Sequence, residues 1–371
     1  MPRSLQTDRW LFLATVALCL IGAVMVFSAS AVIARQQFGN AYTFILRQLI
    51  WLALGLAGMF WMMNVDYRKL RQPTVIFTGL FVVLVLLLGV FFLDKSHATH
   101  RWIRVGPASI QPSEFAKLAV IFYLAWFLGM RRRTHRSDAA AGINDLQRTI
   151  IPALVPVLVL VGLVVLEPDL GTALEIFLIA LALLFVAGLP GKYVLWGGAA
   201  ALPMIYLLIV RVSYRYDRIV GFLNPEADPQ GRGFQLLQSL IAVGSGGFAG
   251  VGLMESRQKL FYLPEAHTDF IYAVLCEELG FIGAVVVLAL FAIYGWRGIC
   301  AALAAPADFG RFAALGITVM VVSQALINLG VVLGMMPTKG IPLPFISYGG
   351  SSLLVMLLAT GVLLNISQQA D

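Results

Sequence analysis

Asp269 stands where the longest hydrophilic segment of the chain meets an apolar run that begins at Phe270. An ionisable side chain at such a boundary is costly to keep without a use. A carboxylate there can remove a proton from a hydroxyl group, or it can cap the following helix by accepting a backbone N–H bond. The residue types alone leave both roles open.

A second polar group lies between residues 101 and 117. Glu114 and Lys117 are separated by one helical turn in an otherwise apolar stretch, so they share a face and can form an ion pair. We expect both to be functional. Arg101 and Trp102 are further candidates for contact with substrate, although Trp102 is also typical of the aromatic belt at a membrane surface.

The turn Glu167-Pro-Asp169 forms a third group. Asp169 is placed to cap the next helix, whereas Glu167 has no such structural reason to be there. Carboxylate oxygens are the ligands that hard divalent cations prefer. Glu167, with Glu114 and Asp269, is therefore our candidate set of ligands for a divalent cation, Mg²⁺ or Mn²⁺.

The long hydrophilic segment 211–268 opens with Arg211, Arg215 and Arg218, interleaved with tyrosines. Arginines in this arrangement suit a pyrophosphate beside a sugar, and Arg218 is our candidate contact. Anchoring to lipid headgroups explains Arg211 and Arg215 equally well.

Farther along this segment, Gln235 and Gln238 share one face of a short amphipathic helix. A helix of this length would lie at the interface or re-enter the membrane rather than span it. Ser245 follows in a glycine-rich run that permits either close approach to a ligand or a simple chain reversal. We take Gln235, Gln238 and Ser245 as candidate substrate contacts.

The last polar group is Asn328 with the segment 338–352, where prolines, glycines and hydroxyl side chains interrupt an apolar region. Irregular backbone at membrane depth is tolerated where it lines a cavity or is buried in protein. Lys339, Ser347 and Ser351 are the candidate contacts here. His267 is close enough in sequence to tune Asp269, and two further histidines are expected on the same side, at positions 97 and 100.

The elements that must position these residues are membrane helices. Of 371 residues, 60% are hydrophobic and 12% charged, whereas a soluble protein carries roughly a quarter charged residues. The fold class is all-α polytopic membrane protein with about ten transmembrane helices. The expected spans are 10–34 (a retained helix rather than a cleaved signal), 44–63, 74–93, 110–130, 148–166, 170–188, 192–210, 269–294, 309–333 and 345–366.

Lys and Arg are more numerous in the short loops on the side that holds the N-terminus, which predicts that this side is cytoplasmic. Because the number of spans is even, the C-terminus is predicted on the same side. All four polar groups and the loop 211–268 then fall on the extracytoplasmic side. A mixed-charge cavity open to that side predicts a substrate there and no nucleotide cofactor. The net charge of +7 fits an anionic partner, although cytoplasmic anchors explain it as well.

Long stretches of the chain resemble the SEDS family of bacterial cell-wall proteins over nearly its whole length. The matching motifs are Arg101-Trp-Ile, Gln111-Pro-Ser-Glu-Phe-Ala-Lys117, Glu167-Pro-Asp-Leu-Gly-Thr172, Leu263-Pro-Glu-Ala-His-Thr-Asp-Phe-Ile271 and Lys339-Gly-Ile-Pro-Leu-Pro-Phe-Ile-Ser-Tyr-Gly-Gly-Ser-Ser352. Within the family, 256–269 and 338–340 look more like the division branch than the elongation branch, and they do not separate the sporulation branch. Many members have Gln where this chain has Glu167.

The resemblance implies a single membrane domain, 1–371, that acts as a peptidoglycan glycosyltransferase on lipid II. By family analogy, Asp269 is the general base or holds the metal. The implied partners are a class B penicillin-binding protein and regulators of the division machinery, with no nucleic acid. The implied location is the cytoplasmic (inner) membrane at the septum. A lipid II flippase, a scaffold for the transpeptidase and an elongation polymerase are the alternatives.

Overall fold

The computed structural model describes residues 7–93, 101–105, 108–134, 145–260 and 262–369. Its helices are α1 (Arg9–Phe38), α2 (Thr43–Asn64), α3 (Pro73–Leu93), α4 (Pro112–Thr134), α5 (Ile151–Leu166), α6 (Leu170–Ala187), α7 (Gly191–Val210), α8 (Ser213–Leu223), α9 (Phe234–Ser245), α10 (Ile271–Ala304), α11 (Asp308–Val332) and α12 (Gly350–Gln368). Shorter turns of helix cover Tyr67–Arg71, Leu146–Ile150 and Pro225–Ala227. Strands β1 (Ile103–Val105) and β2 (Ala108–Ile110) pair antiparallel, with Ile103 opposite Ile110.

Within the described residues, nine helices are long and apolar enough to cross a membrane. The polytopic helical fold is therefore confirmed. Each expected span corresponds to a helix, and the span 192–210 is α7, a helix of 20 residues that is not one of the nine. The largest shift of a start is in the last span, where α12 begins at Gly350 instead of residue 345. Pro342 and Pro344 keep the preceding segment out of helical geometry.

Helices α4, α11 and α12 form the interior of the bundle. In each of these three helices, between 67% and 72% of the residues in the apolar stretch are buried inside the protein, against 22% in α2 and in α3. Helix α11 packs against α4, α6, α10 and α12 and also touches α9. Polar side chains on α11 can therefore reach several other elements without leaving the protein interior.

Helix α10 is broken at Gly280, where φ is 62° and ψ is −161°. The loop 246–252 fits into the break. Its amides donate to the carbonyl oxygens of Glu277 and Glu278 at 3.0 and 3.1 Å, and the N–H of Phe281 donates back into the loop at 2.9 Å. In a low-dielectric interior these freed backbone groups need partners. The glycine-rich run therefore brings its backbone close to α10, and α9 is the short helix expected in this segment.

Candidate active site

Asp269 does not cap helix α10. The helix begins at Ile271 with Phe270 in the N-cap position, and no side chain caps it. The interpretation of Asp269 as a helix cap is therefore wrong. Within the described part of the chain, no group donates a hydrogen bond to the Asp269 carboxylate, which is partly exposed.

The backbone around Asp269 is held firmly although its carboxylate is not. Three consecutive carbonyl oxygens, those of residues 267–269, accept hydrogen bonds from outside the segment. In order, the donors are the N–H of Tyr348 at 3.0 Å, the hydroxyl of Ser347 at 2.6 Å and the amide nitrogen of Asn328 at 2.7 Å. Fixed backbone with a free carboxylate is the arrangement that a reacting group requires.

A cavity of about 90 Å³ lies next to Asp269, which is near its lining residue Gly340 but does not itself line the cavity. Its charged lining residues are Arg101, Asp169, Arg215, Arg218 and Lys339. Gly340 also lines it, and a Cβ added at Gly340 would lie 2.9 Å from Oδ2 of Asp269. Four cations and one carboxylate therefore line the cavity, with the Asp269 carboxylate adjacent to it, and the excess positive charge favours an anionic ligand.

Two of these arginines are oriented by neutral oxygen atoms. Arg101 donates through Nε to the Glu167 carbonyl at 3.2 Å and through its terminal nitrogen to the Pro168 carbonyl. Arg215 is buried and donates to the Leu208 carbonyl at 3.0 Å and to the Tyr214 hydroxyl at 3.1 Å. These bonds fix the planes of both guanidinium groups. Because the acceptors are uncharged oxygen atoms, the bonds do not cancel the positive charges.

Burial raises the pKa of the Asp269 carboxyl to about 7, with a further increase from the negative charge of Glu265 and an opposing effect of Arg218. Burial also lowers the pKa of Lys339, while Asp169 opposes that shift. A carboxyl group that titrates near neutral pH can both hold and release a proton under physiological conditions.

Glu167 is fully buried, and neither of its carboxylate oxygens has a hydrogen-bond partner within the described residues. Burial, followed by the charge of Asp169, raises the pKa of Glu167 to about 8, while Arg101 lowers it. Asp169 does cap α6, as predicted, by accepting from the N–H and hydroxyl of Thr172 at 3.2 and 2.8 Å.

Glu114 and Lys117 form the expected ion pair, with 2.9 Å between Nζ and the carboxylate, and both are buried. Lys117 also lies 3.4 Å from the carboxylate of Glu175 and donates to Gln324 at 2.8 Å. Glu175 and Gln324 were missed at the sequence level. Their polar character inside apolar runs was the available signal, but nothing in the sequence indicated that α4, α6 and α11 meet there.

The structure does not gather the predicted metal ligands into one group. Within the described residues, no three or more His, Cys, Asp or Glu side chains lie close enough together to hold a metal ion. Glu114 is engaged by Lys117, and Glu167 is buried in the turn before α6. Asp269 belongs to the separate loop before α10.

Three other predicted contacts lie on α9 and do not line the cavity. Gln235 and Gln238 are partly exposed, and Ser245 donates to the carbonyl of Ala242 within its own helix at 2.9 Å. The face that α9 turns toward the protein carries Leu236 and Ser239 instead. The amphipathic pattern was correct, but the side that faces the protein could not be read from it.

His267 packs its ring against Phe44 and Tyr348, with centroids 4.9 and 5.8 Å apart. Burial lowers the pKa of His267. The His267 ring is therefore packed in an aromatic cluster, which is a structural role. The other two histidines that were predicted on the same side, at positions 97 and 100, lie outside the described residues.

Two further predicted contacts, Ser347 and Ser351, hold the backbone together. Ser347 bridges two loops through its hydroxyl, and Ser351 accepts from the N–H of Gln111 at 3.3 Å. Trp102 is partly exposed beside Arg101, immediately before β1.

Comparison with known proteins agrees with the polytopic helical architecture. A family profile described as "Cell cycle protein", covering FtsW, RodA and SpoVE, matches residues 9–371. The chain belongs to this family. It is 44% identical over 368 residues to a probable peptidoglycan glycosyltransferase FtsW of Trichlorobacter lovleyi, which covers 98% of this chain and 94% of that protein.

The stage V sporulation protein E of Bacillus subtilis is 45% identical over 364 residues, covering 97% of each chain. Among solved structures, one chain of a complex described as a peptidoglycan synthase that coordinates polymerization and crosslinking matches with a TM-score of 0.76 and 32% identity, over 97% of both chains. The rod shape determining protein RodA of Thermus thermophilus matches with a TM-score of 0.70 and 29% identity, over 100% of this chain and 99% of that one.

Proposed function

We propose that this protein is a peptidoglycan glycosyltransferase that polymerises lipid II at the outer face of the cytoplasmic membrane during septal cell-wall synthesis. The relatives named as FtsW enzymes support the reaction class. The observation that carries the proposal is the Asp269 carboxylate. Its backbone is fixed, it has no hydrogen-bond donor among the residues that the structure describes, and it lies beside a cavity rich in cations.

The proposed reaction is a displacement at the anomeric carbon of the donor MurNAc. The 4-hydroxyl oxygen of the acceptor GlcNAc forms the new bond to that carbon, and Asp269 receives the hydroxyl proton. The bond from the anomeric carbon to the pyrophosphate oxygen breaks, and its electron pair leaves with undecaprenyl pyrophosphate. Attack opposite to the leaving group inverts the anomeric centre.

The environment of Asp269 matches the role of general base. A base is most effective when its pKa lies near the working pH, and burial raises the pKa of Asp269 to about 7. Arg101, Arg215, Arg218 and Lys339 line the cavity and would stabilise the negative charge that develops on the leaving pyrophosphate.

A divalent cation stays a prediction, and no step above depends on it. The described residues do not supply a cage of three carboxylates. Magnesium ions are often bound by one or two carboxylates together with phosphate oxygens, and such a site would use Asp269 and the pyrophosphate of the substrate.

The proposal includes a partner and a location. A class B penicillin-binding protein would cross-link the new glycan, which is consistent with the similarity to a chain of a peptidoglycan synthase complex. Regulators of the division machinery would control the pair. The distribution of Lys and Arg in the short loops supports a cytoplasmic location for both termini.

One assay separates a polymerase from a lipid II flippase or a scaffold. The purified protein is incubated with lipid II, with and without its penicillin-binding partner, and the products are scored for glycan chains. In parallel, liposomes are scored for transfer of lipid II across the bilayer. Glycan chains are the expected result. Transfer without polymer would favour the flippase, and neither product in either reaction would favour the scaffold.

A further inference from the structure

Asn328 reaches Asp269 from the centre of the helix bundle. It lies on α11, is 1% exposed, and donates through Nδ2 to the carbonyl oxygen of Asp269 at 2.7 Å. The same nitrogen donates to the carbonyl oxygen of Ile341 at 2.8 Å. Because both neighbours are acceptors, the amide nitrogen, and not the oxygen, must face them.

The two carbonyls belong to segments that carry the proposed chemistry. One is that of the proposed base itself. The other is the carbonyl of Ile341, the residue that follows Lys339 and Gly340. The N–H of Ile341 in turn donates to the Lys339 carbonyl at 3.0 Å. Since a Cβ at Gly340 would lie 2.9 Å from Oδ2 of Asp269, these segments are in direct contact.

A second amide on α11 supports the same segment one turn away. Gln324 donates to the Pro342 carbonyl at 2.8 Å and accepts from Lys117 at 2.8 Å. Two successive carbonyls, at residues 341 and 342, are thus held by side chains of one rigid helix. Of these two amides, Asn328 alone also holds the backbone of Asp269.

We propose that Asn328 is a positioning residue for glycosyl transfer, because its amide nitrogen fixes the separation between the proposed base and the cationic segment 339–341. This inference rests on the proposed function of Asp269. Two bonds from one atom allow little relative movement, so they hold the backbone of the base against the segment that carries Lys339. Misplacement of a catalytic group by about 1 Å can lower a rate on the order of 10²-fold.

The test compares Asn328→Asp with Asn328→Ser in the lipid II polymerisation assay, with rates expressed per folded protein. Aspartate has nearly the same shape but offers oxygen to two carbonyl oxygens. We expect kcat to fall about 10²-fold with KM within about twofold, since the cavity lining is unchanged. Serine can keep one of the two bonds, and its kcat is expected to lie between those of Asn328→Asp and the wild type.

The pH profile provides a readout that a merely structural role would not move. If the loop at Asp269 is released, its carboxylate becomes better solvated and the rise of rate with pH should shift to lower pH. If Asn328→Asp fails to fold, the kcat and pH profile of Asn328→Ser decide the question.

Asn365 offers a matched control. It is a buried amide on α12 that donates to the Met63 carbonyl at 2.7 Å and accepts from the N–H of Tyr67 at 3.0 Å. These bonds lie at the opposite end of the bundle from Asp269. We expect Asn365→Ser to lower thermal stability and to leave kcat per folded protein and the pH profile unchanged.

The proposal is overturned if the Asn328 variants that fold keep kcat within twofold of wild type with an unshifted pH profile. It is also overturned if Asn365→Ser reproduces their kinetic defect. Asp269→Asn is assayed in the same series. If Asp269→Asn is active, the proposed function fails. If Asp269→Asn is inactive but Asn328→Asp keeps the wild-type rate, only the role of Asn328 is overturned.

Discussion

The first half of α10, before its break at Gly280, has Asp269 near its first residue (here called its outer end) and Glu278 near the break, in the bundle interior (its inner end). The carboxylates at these two ends have opposite environments. At the inner end, Glu278 is 1% exposed and accepts from Ser28 at 2.6 Å and from Lys259 at 2.8 Å. At the outer end, the Asp269 carboxylate has no donor within the described residues. The partnered carboxylate stabilises the fold, and the free one is available for chemistry.

Glu277 extends the comparison. It accepts from the Ser256 hydroxyl and from the N–H of Arg257, the latter at 2.9 Å, so it ties the loop before Asp269 to α10. With the glycine-rich loop 246–252 inserted at Gly280, the inner end of this half-helix is fixed on several sides. Such rigidity allows the outer end to hold a free carboxylate in one place.

The largest effect is expected for Asp269→Asn. Loss of a general base should lower the rate of glycan formation about 10²–10⁴-fold, while thermal unfolding stays near that of wild type because no hydrogen bond to the carboxylate is lost. Glu226→Gln is a suitable control, since this exposed carboxylate lies in the long hydrophilic segment before Asp269 and is not among the residues that line the cavity.

The opposite pattern is expected for Glu278→Gln. Removing one partner of a buried ion pair leaves Lys259 with an uncompensated charge, which costs about 3–5 kcal/mol of stability. Denaturation in detergent measures this loss, and the folded fraction should keep its glycan-forming rate. The double variant Lys259→Met with Glu278→Met should regain much of the stability. A stable but inactive Glu278→Gln would remove the distinction between the two ends.

Gly340→Ala tests the contact between the base and the cationic segment. The added Cβ would lie 2.9 Å from Oδ2 of Asp269, so one of the two must move. We expect the rate to fall about tenfold, because small displacements of a reacting group are costly. Gly244→Ala is the control, since its Cβ would meet no atom within 4 Å. Equal rates for the two variants would contradict this contact.

The smallest effect is expected for Glu265→Gln. The negative charge of Glu265 raises the pKa of Asp269. Removing that charge lowers the pKa, so the Asp269 carboxylate stays deprotonated to a lower pH. The rise of rate with pH should therefore move to lower pH by a fraction of a unit. Glu255→Gln, earlier in the same loop, should leave the midpoint of that rise in place, since Glu255 is not among the charges that shift the pKa of Asp269. A shift to higher pH would argue against this electrostatic coupling.

Features set by local physics could be predicted from the sequence. Each expected span corresponds to a helix because the bilayer sets the length of an apolar run. The cap at Asp169 follows from its spacing to Thr172, and the Glu114–Lys117 pair follows from helical spacing. These features need no information about distant parts of the chain.

Features that depend on contacts between distant segments could not be predicted. The cap proposed for Asp269 failed because Phe270, at φ −110° and ψ 19°, delays the helix by one residue. Glu175 joins Lys117 only because α4 and α6 pack together. The roles of Asn328 and Ser347 as backbone tethers likewise require the folded arrangement of α11 and the segment 338–349.

The pH–rate profile of the wild type beside that of Asp269→Asn tests the central claim most directly. The base must be deprotonated to act, so the wild-type kcat/KM should be low in acid and rise with a midpoint near the pKa of Asp269, about 7. The residual rate of Asp269→Asn should lack this rise. The same rise in both proteins would contradict the account and assign the ionisation to another group, such as Glu167, whose pKa is raised to about 8.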